Sequence, residues 1–427
     1  MDEVKRLPRA LIGTLLFAAF SGRPLTAQDS GNIEFHGFVL GNYSGRTTGV
    51  RPSSAKAGDF LLAEERVRVD VRAWSNSVDA SARVKADFFH DAVDDELDID
   101  LREAYADYTT GRFDFRLGRQ IATWGVGDLL FINDVFPKDW TSFFSGRPLE
   151  YLKVGVDGFR MRYSSDLVNG ELMMIPFYTP DNLPAPDRFL LFDPFSSVTA
   201  RVEDLPASTA RNTEIGLRLY RKIGNSDVSA YAYRGFWRTP GMKPDSVAAP
   251  ARITVFHPAL STYGASLQGN ALAGVLSLEA GYYDSRDDRD GDDPMIPNSQ
   301  GRFLVGYQKQ LWTDATLGAQ YYAEIMGDHS MYRNTLPAGF PTQRKYRDIV
   351  TLRFEQLLKH QTWKLTMMTF FGRADNDYLL QPQASYKLSD KLTVSAGMNL
   401  FGGEHDWTSF GQFDKNDNVY ISARFDF

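Results

Sequence analysis

From residue 33 onward, apolar side chains recur at every second position. Val67, Val69, Val71 and Ala73 alternate with Arg66, Arg68, Asp70 and Arg72. Ala80, Ala82, Val84, Ala86 and Phe88 alternate with Ser81, Arg83, Lys85 and Asp87. The same period runs through Phe113–Leu117, Arg302–Gln308, Lys391–Leu400 and Asn418–Phe427. Strands turn successive side chains to opposite faces, whereas an amphipathic helix repeats its apolar residues at i, i+3, i+4. The pattern predicts about eighteen strands of roughly ten residues, the length of a tilted membrane strand. They fall near 33–43, 61–74, 78–90, 98–109, 112–120, 158–164, 170–178, 211–222, 227–237, 261–270, 273–285, 301–312, 315–325, 346–358, 361–373, 377–388, 391–402 and 416–427.

The connections alternate in length. Tight turns fall at 75–77, 110–111, 165–169, 223–226, 271–272, 313–314, 359–360 and 389–390. Most of the others are long: 44–60, 121–157, 179–210, 238–260, 286–300, 326–345 and 403–415. A water-soluble sandwich has no reason to gather its short turns at one end. An outer-membrane barrel does, with short periplasmic turns and long extracellular loops. The expected fold class is therefore all-β: a single transmembrane antiparallel β-barrel of about 18 strands with both termini in the periplasm.

The start of the chain reads as an export signal. Lys5, Arg6 and Arg9 precede the apolar run Ala10–Phe20. That run is shorter than the roughly 20 apolar residues a membrane helix needs, and Ala27 suits a cleavage site. Residues 1–27 are expected to be a signal peptide and 28–427 the barrel domain.

Composition sharpens this picture. The chain has 30 Phe, 20 Tyr and 7 Trp, and Tyr43, Trp74, Tyr108, Tyr163, Tyr178, Trp237, Trp312, Trp363 and Phe427 fall near predicted strand ends. Such rings prefer the headgroup level. Cysteine is absent, which removes disulfides, thiolate metal sites and a cysteine nucleophile. The net charge of −7 argues against a nucleic-acid partner.

The closing segment Asn418-Val-Tyr-Ile-Ser-Ala-Arg-Phe-Asp-Phe427 resembles the last strand of bacterial outer-membrane barrels. That resemblance implies recognition by the barrel-assembly machinery through Phe427. A second likeness is carried by Leu101–Tyr108, Leu117-Gly-Arg-Gln120, Trp124-Gly125, Gly127-Asp128 and Asn133–Asp139. These are similar to a group of uncharacterised outer-membrane proteins with loose likeness to alginate-export and porin-like barrels. The likeness implies fold and location, with outer-membrane lipid and lipopolysaccharide as surroundings, and leaves the solute unnamed.

In a barrel the polar face of each strand points into the lumen. The expected pore-lining residues are Arg66, Arg68, Arg72, Arg83, Lys85, Arg116, Arg160, Arg162, Arg218, Arg302, Arg353 and Arg424. A ring of such cations would favour small or oligomeric anionic solutes, in passive diffusion or export; alternatively the charges pair into a ladder that stiffens the wall. The third extracellular loop, 121–157, carries Trp124, Leu129, Leu130, Phe131, Ile132, Val135, Phe136, Trp140, Phe143 and Phe144, too apolar for a solvated loop. By analogy with general porins it folds inward, with Asp128, Asp134, Lys138, Asp139 and Arg147 at a constriction; otherwise its rings cap the rim.

The six histidines show no zinc spacing, and neither a nucleophile elbow nor a phosphate loop occurs, so neither metal nor cofactor is expected and the chain reads as a non-enzyme. Asp328-His329 and Asp94-Asp95 carry the hydrolase alternative. Asp288-Arg-Asp-Gly-Asp-Asp293 resembles a calcium loop but has Ser299 where the twelfth-position glutamate belongs. A non-conducting structural or partner-binding barrel in an envelope complex is the other reading.

Overall fold

The computed structural model describes residues 32–55 and 58–427; the expected signal peptide lies outside the described residues. In chain order the strands are β1 (Ile33–Arg46), β2 (Phe60–Trp74), β3 (Ala80–Asp91), β4 (Glu96–Thr110), β5 (Phe113–Gln120), β6 (Val156–Tyr163), β7 (Asn169–Ile175), β8 (Arg201–Asp204), β9 (Glu214–Ile223), β10 (Ser226–Phe236), β11 (Gly241–Pro244), β12 (Ile253–Phe256), β13 (Ala259–Ala271) and β14 (Gly274–Ser285). There follow β15 (Gln300–Trp312), β16 (Ala315–Met326), β17 (Tyr346–Leu358), β18 (Trp363–Gly372), β19 (Asp377–Lys387), β20 (Leu392–Gly403) and β21 (Asn418–Asp426). Eighteen of them form one antiparallel sheet, which closes where β1 pairs with both β2 and β21. Each segment expected from the alternation is a barrel strand, with ends within a few residues of those expected.

The registers keep one parity around the wall. Arg116 stands opposite Arg160, Glu171 opposite Arg218, Arg302 opposite Glu324 and Gln320 opposite Thr351, all facing the lumen. Phe303, Val305, Leu352, Phe371 and Ile421 take the other face and are exposed. An exposed apolar band around a closed barrel is the surface a bilayer covers, and closure leaves no strand edge in the hydrocarbon. This places the molecule in the outer membrane. Tight turns at one end use left-handed backbone at Leu272, Ala273, Asp314, Lys359 and His360, the geometry that matches strand twist in short hairpins.

Three features were not expected from the pattern. Strands β8, β11 and β12 form a separate three-stranded sheet from the loops over 179–210 and 238–260, with β8 and β12 parallel. Four-residue strands are too short for a period to show. Helices α1 (Trp140–Ser145) and α2 (His329–Thr335) lie inside loops. Trp237 and Tyr178 are not headgroup aromatics. Trp237 is buried, with its indole against Tyr283 and Arg302, and the Tyr178 hydroxyl donates to the Trp237 carbonyl at 2.8 Å. A polar partner was available inside, so these rings turned inward.

Candidate functional site in the lumen

The loop 121–157 runs inside the barrel and touches inward-facing side chains around its circumference. Trp124 donates its indole N–H to Glu171 of β7 at 2.8 Å and packs on Tyr231 of β10. The next turn is held by one carboxylate. Glu279 of β14 accepts from the backbone N–H of Val126 (2.8 Å), Gly127 (3.0 Å) and Asn133 (2.8 Å), and from the Asn133 side chain (2.9 Å). The wall makes room for this contact: a Cβ on Gly264 would lie 1.9 Å from Asn133 Oδ1, and one on its cross-strand partner Gly281 would lie 2.6 Å from Ile132 Cγ2. Asp128 reaches across to Arg353 of β17 at 2.9 Å, and Leu129 beside it has a left-handed backbone.

Beyond this turn the loop builds its own small core. Asp139 caps α1 by accepting from the Ser142 N–H at 2.7 Å. Phe143 and Phe144 pack edge-on against Phe370 and Phe401 of the wall. The Asn399 and Asn418 amides donate to the Phe144 carbonyl at 3.0 and 3.1 Å. Arg147 pairs with Glu64 of β2 at 2.7 Å. Tyr151, buried, donates to Asp87 at 2.9 Å and lies against Arg66 and Arg68. Of the five residues expected at a constriction, Asp128 and Arg147 engage the wall. Asp134 and Lys138 pair with each other at 3.0 Å inside the loop, and Asp139 is a helix cap. Burial pulls the Lys138 ammonium below the ordinary lysine value, against Asp134.

The twelve expected lumen cations all belong to the inward register, but their chemistry differs. Arg66 and Arg68 are almost fully buried and share Asp87, at 3.0 and 2.6 Å, while Arg66 also grips Glu64 and Arg68 pairs with Glu150. Arg83 pairs with Asp70 at 2.5 Å, Lys85 with Glu103 at 2.6 Å and Arg116 with Asp107 at 2.6 Å. Arg162 meets Glu171 at 2.7 Å, Arg302 meets Glu324 at 3.5 Å, and Arg424 meets Asp426 at 2.7 Å and Glu150 at 3.0 Å. Arg72 lies 3.9 Å from Asp70. Arg160 and Arg218 have no carboxylate within 4.0 Å among the described residues; Arg218 instead contacts the Ser229 hydroxyl at 3.2 Å and the Tyr220 ring. Arg116, Arg160, Arg162 and Arg218 thus form a basic patch on the wall β5–β9. The strands β13–β20 turn neutral Gln268, Gln308, Gln320, Thr351, Gln383 and Ser395 inward, among the paired charges Arg302 with Glu324, Arg353 with Asp128, and Lys364 with Glu355.

The turn 126–131 separates two cavities. One of about 340 Å³ lies toward the long loops, lined by Phe131, Trp140, Tyr283, Arg302, Glu324 and Arg347 among others. One of about 280 Å³ lies toward the short turns, between Asp128, Gln268, Gln308, Gln320 and Arg353. Glu279, Tyr283 and Tyr151 were missed from the sequence as site residues. The polar parity of β14 marks Glu279 as inward, but nothing local marks its partner.

His329 hydrogen-bonds the Gln343 carbonyl through Nε2 at 2.9 Å. The Asp288 carboxylate accepts from the backbone of Asp292 and Asp293, at 3.0 and 3.2 Å. Among the described residues no group of three or more His, Asp or Glu side chains could hold a metal ion.

No protein-family model matches the chain, and no curated protein is significantly similar to it in sequence. Its structure is similar to OccAB3 of Acinetobacter baumannii (TM-score 0.57, 10% identity, 92% of this chain and 99% of that one). It is also similar to OccK2 (OpdF) of Pseudomonas aeruginosa (TM-score 0.57, 10% identity, 92% and 97%) and to OccD3 (OpdP) of the same organism (TM-score 0.55, 11% identity, 93% and 91%). At these identities the likeness speaks for architecture, and the chain has the fold of a porin-like outer-membrane β-barrel.

Proposed function

We propose that the chain is a passive outer-membrane channel for small anionic solutes, narrowed by the inward loop 121–157. The observation that carries the reading is the pair Arg160 and Arg218, two inward-facing guanidinium groups. Neither has a carboxylate within 4.0 Å among the described residues, and Arg218 meets the Ser229 hydroxyl and the Tyr220 ring. Most of the other expected cations are neutralised by partners, so the field belongs to this patch rather than to a full ring. A guanidinium without a counter-ion attracts a carboxylate or phosphate and adds a bidentate fork. OccK2 has been crystallised with glucuronate, a carboxylate sugar, and the present reading assigns this chain the same broad chemical class.

A second reading has its own support. The loop touches walls from β1 to β21, so it could close the lumen and leave a structural barrel. Single-channel recording in a planar bilayer separates the two. The channel reading expects defined conductance, a rise on removal of Phe131–Phe144, and a reversal potential that moves toward cation preference in an Arg160→Glu, Arg218→Glu variant. Absence of conductance in wild type overturns it. A reversal potential indifferent to the two charge changes leaves a channel without the anion preference.

A further inference from the structure

We propose that the outer rim of β16–β18 carries a groove for the phosphorylated head group of an outer-leaflet glycolipid. The argument starts on the outward face. Tyr321 of β16 and Tyr346 of β17 bring their hydroxyls into contact, and Phe371 and Tyr378 face each other across β18 and β19. All four rings are exposed toward the lipid side. Aromatic rings at the end of an apolar wall mark the headgroup level.

Directly beyond them lies an open groove of about 700 Å³ lined by His329, Arg344, Lys345, Tyr346, Asp348, Arg373 and Ala374. Three permanent cations line it, with one carboxylate. That carboxylate, Asp348, is buried and already used: it accepts from Arg373 Nε at 2.8 Å and from the Ala374 N–H at 3.1 Å. The Arg373 side chain remains 65% exposed, and its bond to Asp348 occupies Nε rather than the terminal nitrogens. The hydrogen bond from His329 to the Gln343 carbonyl ties the loop bearing Arg344 and Lys345 to the rim.

Three cations around one neutralised acid suit a phosphate dianion, which accepts through several oxygens and matches guanidinium forks. The location selects the source. The groove opens at the outward-facing Tyr346 and at Arg373, and of its lining only Asp348 also borders the lumen cavity. A phosphate seated there would leave its acyl chains running down Phe371 and Leu352, both outward and exposed.

The test uses the full mature barrel in detergent micelles, titrated with bisphosphorylated lipid A, with dephosphorylated lipid A, and with inorganic phosphate as competitor, read by native mass spectrometry. Wild type is expected to retain the bisphosphorylated lipid in preference to the dephosphorylated one. A variant carrying Arg344→Gln, Lys345→Gln and Arg373→Gln is expected to lose about fivefold per removed charge, on the order of 100-fold together. An unchanged β-rich circular dichroism spectrum and thermal midpoint show that the variant is folded; if it does not fold, the single Arg344→Gln and Lys345→Gln variants are read instead. Equal retention of both lipids by wild type, or undiminished retention by the variants, overturns the proposal. Displacement of the lipid by equimolar inorganic phosphate also overturns it, because the site then takes free phosphate rather than a lipid.

Discussion

Replacing Glu279 with alanine removes the carboxylate that gathers the backbone of the turn 126–133. The carboxylate accepts four hydrogen bonds from Val126, Gly127 and Asn133. Each charge-assisted bond is worth roughly 1.5–3 kcal/mol net, but the donors are released into a wet lumen where water re-solvates them. A local loss of about 2–4 kcal/mol for the segment 125–133 is the expected result. This raises the population in which the turn is detached by about 30- to 1000-fold. Hydrogen exchange at the Val126, Gly127 and Asn133 amides reads that population directly. Because the Asp128–Arg353 bridge lies on the same turn, single-channel records are expected to show larger or noisier current. Glu279→Gln keeps an acceptor oxygen but turns an NH2 toward donors, so it is expected to lose a similar set of bonds less completely. Protected amides in the alanine variant would show that the apolar contacts of Ile132 and Leu130 alone seat the turn, and the reasoning would fail.

Other outcomes follow from the same structure. His257 is buried against Tyr178 and the Trp237 carbonyl, and burial lowers its pKa below the ordinary 6.5. The unfolded form therefore binds the proton first. Stability of this loop cluster is full above about pH 6.5 and falls as pH drops from there through the lowered folded value. Trp237 fluorescence between pH 7.5 and 5 is expected to report loosening in wild type and a flat response in His257→Asn. Deleting Phe427 removes an outward ring worth roughly 1–3 kcal/mol and the backbone bonds it exchanges with Gly37 at 3.0 and 3.1 Å. Insertion in cells is expected to fall further than the urea midpoint of the refolded barrel, and equal losses would remove any special role for this residue in assembly. A protease site near Asp290 is expected to be cut on intact cells while one at Asn225 is spared; the converse pattern would invert the topology.

The barrel was legible because its signal is local and repeated. Phe303, Val305 and Tyr307 announce β15 and, by parity, put Arg302 inside, with no knowledge of the partner strand needed. The state of each lumen charge was not legible. Whether Arg68 faces water or Tyr151 depends on a residue 83 positions away, and Glu279 meets Asn133 across 146 positions. A one-dimensional period carries no information on such pairings. Asp139 was expected at the constriction and instead caps α1, because its carboxylate accepts from the Ser142 N–H at the start of that helix. The strands β8, β11 and β12 were hidden for a different reason: each is four residues long, and β8 pairs with β12 across the β9–β10 hairpin.

The seam between β1 and β21 bears on the order of assembly. Its ladder joins Phe38 to Asp426 at one end and Arg46 to Asn418 at the other, strands from opposite ends of the chain. Contacts of such separation form late, and until then both strands are open edges prone to pairing with other chains. The inward loop sits at this junction. Asn42 of β1 donates to the Gly146 carbonyl at 3.3 Å, and Asn418 of β21 donates to the Phe144 carbonyl two residues away at 3.1 Å. A segment from the first half of the chain thus bonds both strands of the seam at neighbouring carbonyls, so the closure of the cylinder and the seating of the loop stabilise each other.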